Sequence, residues 1–113
     1  NTTHSSGDWN FQVAGSSKMY IDGSASRVGI NTTGPAYDLH VAGHLYASSS
    51  FLGPDGSATT PSYRFHNDGN TGMYLAGTDT IGFATNGGGR FTMNGGGDFY
   101  SFRRRWFRFS SSI

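Results

Sequence analysis

Cysteine is absent from this chain of 113 residues, which removes disulfide staples and thiolate metal sites from consideration. Glutamate is absent as well. All seven acidic residues are aspartates, and charged residues make up only 13% of the chain, where about 25% is usual. Leucine, alanine and lysine are too thinly spread to build helices. No run approaches the roughly 18 apolar residues of a membrane helix, so membrane insertion is not expected. Neither a methionine nor a signal sequence opens the chain at Asn1, and it reads as a piece of something longer.

What fills the space is glycine and aromatic residues, with 18 glycines and 15% Phe, Trp and Tyr. Each glycine in an ordered element raises the entropy that folding must overcome by roughly 0.5–1 kcal/mol relative to alanine. Aromatic rings supply area efficiently, about 150–250 Å² each, and that area can lie between chains as well as within one. With so few large aliphatic residues the single chain is expected to be marginal, and association is the remedy that multiplies its core.

Charge is unevenly placed. Residues 1–102 carry Lys18, Arg27, Arg64 and Arg90 against seven aspartates, a net of −3, whereas residues 103–113 carry four arginines. The tail differs in kind from the body.

The chain repeats itself. Phe11-Gln12-Val13-Ala14-Gly15 returns 28 residues later as Leu39-His40-Val41-Ala42-Gly43, and each copy predicts a short strand ending in a turn. Lys18-Met19-Tyr20-Ile21-Asp22-Gly23 is echoed by Arg90-Phe91-Thr92-Met93-Asn94-Gly95, where Asp-Gly and Asn-Gly are hairpin signals. Arg27-Val28-Gly29-Ile30 predicts another strand before a turn at Asn31-Thr32-Thr33-Gly34-Pro35. Tyr63-Arg64-Phe65-His66 alternates rings with polar residues, placing both rings on one face. A turn is predicted over residues 67–72, strands at Met73-Tyr74-Leu75 and Ile81-Gly82-Phe83-Ala84-Thr85, and a turn between them at Ala76-Gly77-Thr78-Asp79. The expectation is an all-β fold of strands about four or five residues long. Its parts are a β-rich repeat module (1–46), a Ser/Gly-rich linker or loop (47–60), a β-hairpin module (61–98) and a basic, aromatic C-terminal strand or tail (99–113).

These motifs resemble a known family. Pro61-Ser62-Tyr63-x-Phe65, then Asn70-Thr71-Gly72-Met73-Tyr74, then Asp79-Thr80-Ile81-Gly82-Phe83-Ala84-Thr85-x-Gly87-Gly88 is similar to modules of bacteriophage tail fibres and tailspikes. Val28-Gly29-Ile30-Asn31-Thr32-Thr33-Gly34-Pro35 with Leu39-His40-Val41-Ala42-Gly43 resembles the accompanying module, V-G-I-G-T-x-x-P followed by L-x-V-x-G. Asn31 replaces the usual glycine, a small change because asparagine tolerates left-handed turns. The likeness spans roughly residues 18–98 and stops where Phe99-Tyr100-Ser101-Phe102 stands in place of a new Val-Gly-Ile-Gly. It implies an elongated, intertwined homotrimeric fibre in the virion, outside the cell, with other virion tail proteins as partners and a role in host attachment. In the family this region commonly precedes a C-terminal intramolecular chaperone.

No catalytic constellation stands out, and an enzyme is not expected. Asp22, Asp55 and Asp68 each precede glycine, where the carboxylate makes a turn. His40 and His44 are separated by Ala42-Gly43, a strand and turn rather than a helix, so a shared metal is not expected, and neither is a cofactor. The glycine runs 87–89 and 95–97 lack the following helix that a phosphate loop requires. Arg103, Arg104, Arg105 and Arg108 around Trp106 admit two readings. One is binding of a phosphate-bearing host surface glycan, lipopolysaccharide or nucleic acid by charge and stacking, and the other, preferred, is a terminal strand pairing with trimer neighbours or a disordered end. Nucleic acid is not expected as a partner. A dedicated carbohydrate-recognition tip would require aromatic residues such as Tyr74 or Trp106, a depolymerase would release oligosaccharides from host capsule, and a bacterial surface filament with the same repeats is the remaining alternative.

Overall fold

The computed structural model describes residues 2–3 and 7–102, and among them the chain is all-β, with ten strands and no helix. It divides after Ser50 into two units, each holding one sheet of five strands.

The first sheet is built from β1 (Thr2–Thr3), β2 (Trp9–Val13), β3 (Ser16–Asp22), β4 (Arg27–Ile30) and β5 (Leu39–Val41), side by side in that order. Ala14 and Gly15 join β2 to β3 with φ of 50° and 77°. Positive φ at both positions is what a primed two-residue hairpin requires, because only that turn follows the right-handed twist of the strands. The predicted hairpin at Asp22-Gly23 forms with a longer loop, since Asp22 pairs with Arg27. The Asp22 carboxylate folds back to accept from Ser24 Oγ at 2.7 Å and Ala25 N at 2.9 Å.

The two copies of the first repeat are used differently. The first, at β2, closes a hairpin, while the second, at β5, pairs parallel with β4, Val28 against Leu39 and Ile30 against Val41. Residues 31–38 make the connection, shorter than the dozen or so residues usual between parallel strands. They arch over one face of the sheet. A Cβ on Gly29 would collide with the Thr32 carbonyl, so glycine there is what lets the arch lie on β4. Val28 N donates to Asp38 O at 2.8 Å, Arg27 Nη1 to Pro35 O at 3.2 Å and Ala36 N to His40 Nδ1 at 3.3 Å, and Pro35 is buried.

The second sheet is an antiparallel meander of β6 (Tyr63–Phe65), β7 (Asp68–Gly77), β8 (Thr80–Thr85), β9 (Gly88–Met93) and β10 (Phe99–Ser101). Asn86 and Gly87, with φ of 50° and 68°, form its primed turn. Residues 67–72, expected to turn, instead lie mostly in β7, which at ten residues exceeds the expected strand length. Pairing on both sides explains it. Arg64 and Phe65 pair with Gly72 and Asp68 on one edge, while Asn70 O accepts from Gly87 N at 3.0 Å on the other. Before β6, within residues 47–60, Asp55 O accepts from Leu75 N at 2.8 Å, and Ser62 Oγ donates to Pro54 O.

Strand register sorts the side chains. In the first sheet Trp9, Phe11, Met19, Ile21, Val28, Ile30, Leu39 and Val41 are cross-strand partners and share one face, since directly opposed residues point the same way. Gly29 is opposed to Tyr20, on the other face, so the 31–38 arch covers that face. In the second sheet Tyr63, Met73, Leu75, Ile81, Phe83, Phe91, Met93 and Phe99 are likewise in register. Apart from Pro35 and Pro61, the only buried apolar side chain among the described residues is Ala84, at 2% exposure, and no large side chain is fully buried.

Replacing Gly29 with alanine should lower stability by about 1–3 kcal/mol, the usual range for overpacking against backbone. Gly77→Ala, where a Cβ meets nothing within 4 Å, should leave it unchanged or raise it by about 0.4–1 kcal/mol. Urea unfolding midpoints of the two variants measure the contrast.

Candidate functional site

Two kinds of surface are available for recognition: an apolar face on each sheet, and the opposite faces where rings and polar groups gather. On the second sheet's apolar face the Phe83 and Phe91 rings stack at 4.5 Å, and Phe99 follows Phe91 at 6.2 Å with a 40° tilt. Beside this row lies a groove of about 440 Å³ whose lining includes Tyr63, Phe65, Met73 and Phe91, with Arg90 at its margin. The rings of Tyr63 and Phe65 thus serve one groove, as their alternation predicts. Arg90 is held in place there, its Nε and Nη2 donating to Thr85 Oγ1 at 2.6 Å and Thr85 O at 2.7 Å. On the first sheet's apolar face Trp9 and Phe11 stack at 6.4 Å.

Tyr74 sits on the other face of the second sheet. It is opposed to Gly82, and a Cβ on Gly82 would fall 2.5 Å from the Tyr74 ring. The ring therefore lies flat in the space that glycine leaves, and a Cβ on Gly89 would meet the Tyr74 hydroxyl at 3.0 Å and the Phe102 ring at 3.2 Å. Covering backbone in this way fills the gap that a strand glycine otherwise opens. Tyr74 is half-buried and also borders a second groove, with Pro54, Asp55 and Tyr63. Arg103, Arg104, Arg105, Trp106 and Arg108 lie outside the described residues, so no geometry joins them to Tyr74.

The corresponding position in the first sheet is Tyr20, opposed to Gly29. Its hydroxyl donates to Asp8 Oδ2 at 2.8 Å, and the other carboxylate oxygen accepts from Gly23 N at 2.9 Å. Asp8 is buried, at 8% exposure, and clamps the β3–β4 loop to the strand entering β2. Sequence reasoning passes over Asp8, which precedes tryptophan rather than glycine and carries no turn signature.

Of the three aspartates read as turn formers, Asp22 makes its turn, Asp55 engages β7 through its carbonyl, and Asp68 opens a strand. His40 Nδ1 accepts from Ala36 N, and among the described residues no group of three or more His, Cys, Asp or Glu is placed to hold a metal ion. No family model matches the chain, and no curated protein matches it.

The hydrogen bond to Asp8 holds the Tyr20 pKa above the ordinary tyrosine range, with burial and the Asp8 charge adding to it. The stability this bond lends is complete below the ordinary tyrosine pKa and is lost as pH rises through the raised value. For Asp22, Ser24 Oγ and then Ala25 N hold the pKa below its ordinary value, so that contribution is present above the ordinary aspartate pKa and is lost as pH falls through the lowered one. Unfolding midpoints followed across pH should lose their alkaline decline in Tyr20→Phe and part of their acid decline in Ser24→Ala.

Proposed function

We propose that this chain is a structural segment of a phage tail fibre or related virion appendage. Three copies share a core, and the assembled particle contributes to host attachment. The observation that carries the proposal is the apolar face on each sheet that the described residues leave uncovered. Trp9, Phe11, Leu39, Tyr63, Leu75, Ile81 and Phe99 remain exposed, along cross-strand rows that hold no charged residue. Contiguous apolar surface of this kind marks an interaction site rather than ordinary solvent-facing residues. A second support is the likeness of residues 18–98 to tail-fibre modules, where chains complete one another's interiors.

Symmetry suits the surface. A rotation axis brings the same face of each copy together, and stacked phenylalanine rows supply large contact area with few rotatable bonds. The mechanism is mechanical and multivalent: a shared core stiffens the particle, and loops repeated on each chain offer copies of one weak contact whose combined avidity far exceeds any single contact.

Native mass spectrometry or light scattering should find three chains per particle, and a well-folded single chain at low micromolar concentration would contradict the proposal. Phe99→Asp separates the interface from the fold. Phe99 is 55% exposed in the single chain, so the substitution should leave the strands formed while each copy forfeits about 1.5–3 kcal/mol of burial, and the assembly should dissociate.

A further inference from the structure

The loop between β9 and β10 is chemically primed in a way the fibre reading does not use. Asn94 precedes Gly95, and its side chain is folded back over the peptides that follow. Asn94 Oδ1 accepts from Gly96 N at 3.0 Å and from Asp98 N at 2.9 Å, while Nδ2 donates to Asp98 Oδ2 at 3.3 Å. The backbone closes around it, with Asn94 N donating to Asp98 O at 3.1 Å and Gly97 N to Asn94 O at 2.9 Å. Gly95 has no side chain to shield its nitrogen, and that N–H donates to nothing among the described residues.

We propose that Asn94-Gly95 is a self-modifying site, at which Asn94 deamidates through attack by the Gly95 nitrogen. That nitrogen loses its proton and bonds to Asn94 Cγ. Negative charge develops on Oδ1, where two backbone N–H groups already point, an arrangement that stabilises a tetrahedral oxyanion. The Cγ–Nδ2 bond then breaks, and Nδ2 leaves as ammonia after gaining one proton. A five-membered succinimide remains. Water opens it at either carbonyl, giving aspartate or an isoaspartate whose main chain runs through the former side-chain carbon. The net change is an amide and water to a carboxylate and ammonium, and it requires no oxidant, reductant or catalyst. Because the Gly95 nitrogen must be deprotonated, the rate rises with pH. The carboxylates facing the site are Asp98, bonded to Nδ2, and Asp79, whose Cβ would be 3.0 Å from a Cβ on Gly95.

The chain carries its own control. Asn86-Gly87 is the same dipeptide, but there Gly87 N donates to Asn70 O at 3.0 Å and Asn86 is locked at a φ of 50° in the primed turn, so its nucleophile is occupied. The product at residue 94 places a new carboxylate beside Asp98, and like charges at hydrogen-bond distance repel. The loop that pins β10 to β9 is thereby weakened.

The test is a time course of the intact chain in heavy-oxygen water at neutral and mildly alkaline pH, read by peptide mass spectrometry with chromatographic separation of aspartate from isoaspartate. Label should enter residue 94 at least about tenfold faster than residue 86, a modest fraction of what one oxyanion donor contributes in an enzyme. It should also enter no more slowly than in an unstructured peptide of residues 91–99, and both isomers should appear. Equal or faster labelling at Asn86, or conversion of the peptide ahead of the folded chain, overturns the proposal.

Discussion

One constraint governs this molecule: each sheet has two faces, and the described residues of its own unit cover only one of them. In a β-sandwich the apolar faces of two sheets meet and form the core. Among the described residues of each unit there is no second layer of strands, and Trp9, Phe11 and Phe99 stay exposed along their rows while Phe83 and Phe91 are half-buried. Backbone pairing, tight turns and side-chain locks such as Asp8 hold the strands in register. Hydrophobic burial, the main driving force for folding in most domains, is left largely unrealised among the described residues.

The faces that are covered are covered with little side-chain bulk. In both sheets a tyrosine stands opposite a glycine, Tyr20 against Gly29 and Tyr74 against Gly82. The space above the glycine is filled differently in each. At Gly82 the opposing ring lies down into it, whereas at Gly29 the chain itself crosses, with residues 31–38 arching over the strand. The first solution ties the ring to the sheet, and the second ties a loop, so both reduce the need for large aliphatic side chains, of which this sequence has few.

Much of this was legible beforehand, for physical reasons that can be stated residue by residue. Alternation and turn chemistry mark β2 to β6, β8 and β9, and the absence of helix formers excludes helices. Positive-φ turns fall at Ala14-Gly15 and Asn86-Gly87, where Gly15, Asn86 and Gly87 tolerate left-handed backbone and Ala14 is carried into it by the hairpin. The length of β7 escaped because Asp68, Gly69, Asn70 and Gly72 prefer turns when taken locally, and only pairing with partners on both sides extends them. The parallel placement of β5 escaped because a repeat of the same five-residue pattern carries no record of strand direction. Asp8 escaped because its partners, Tyr20 and Gly23, come from elsewhere in the sequence. The glycan-directed role expected for Tyr74 has a structural rival in its embrace of Gly82.

The parallel step at β4–β5 has a consequence for traffic. From Trp9, three antiparallel strands run back and forth, and a fourth antiparallel one would return the chain to the end of the sheet where it came in. Because β5 instead repeats the direction of β4, the polypeptide departs at the far end. The meander of the second unit, with an odd number of strands, does the same. Counted from Trp9, the first sheet is therefore a through-passage like the second, and β1, antiparallel to β2, brings the chain in from the exit end.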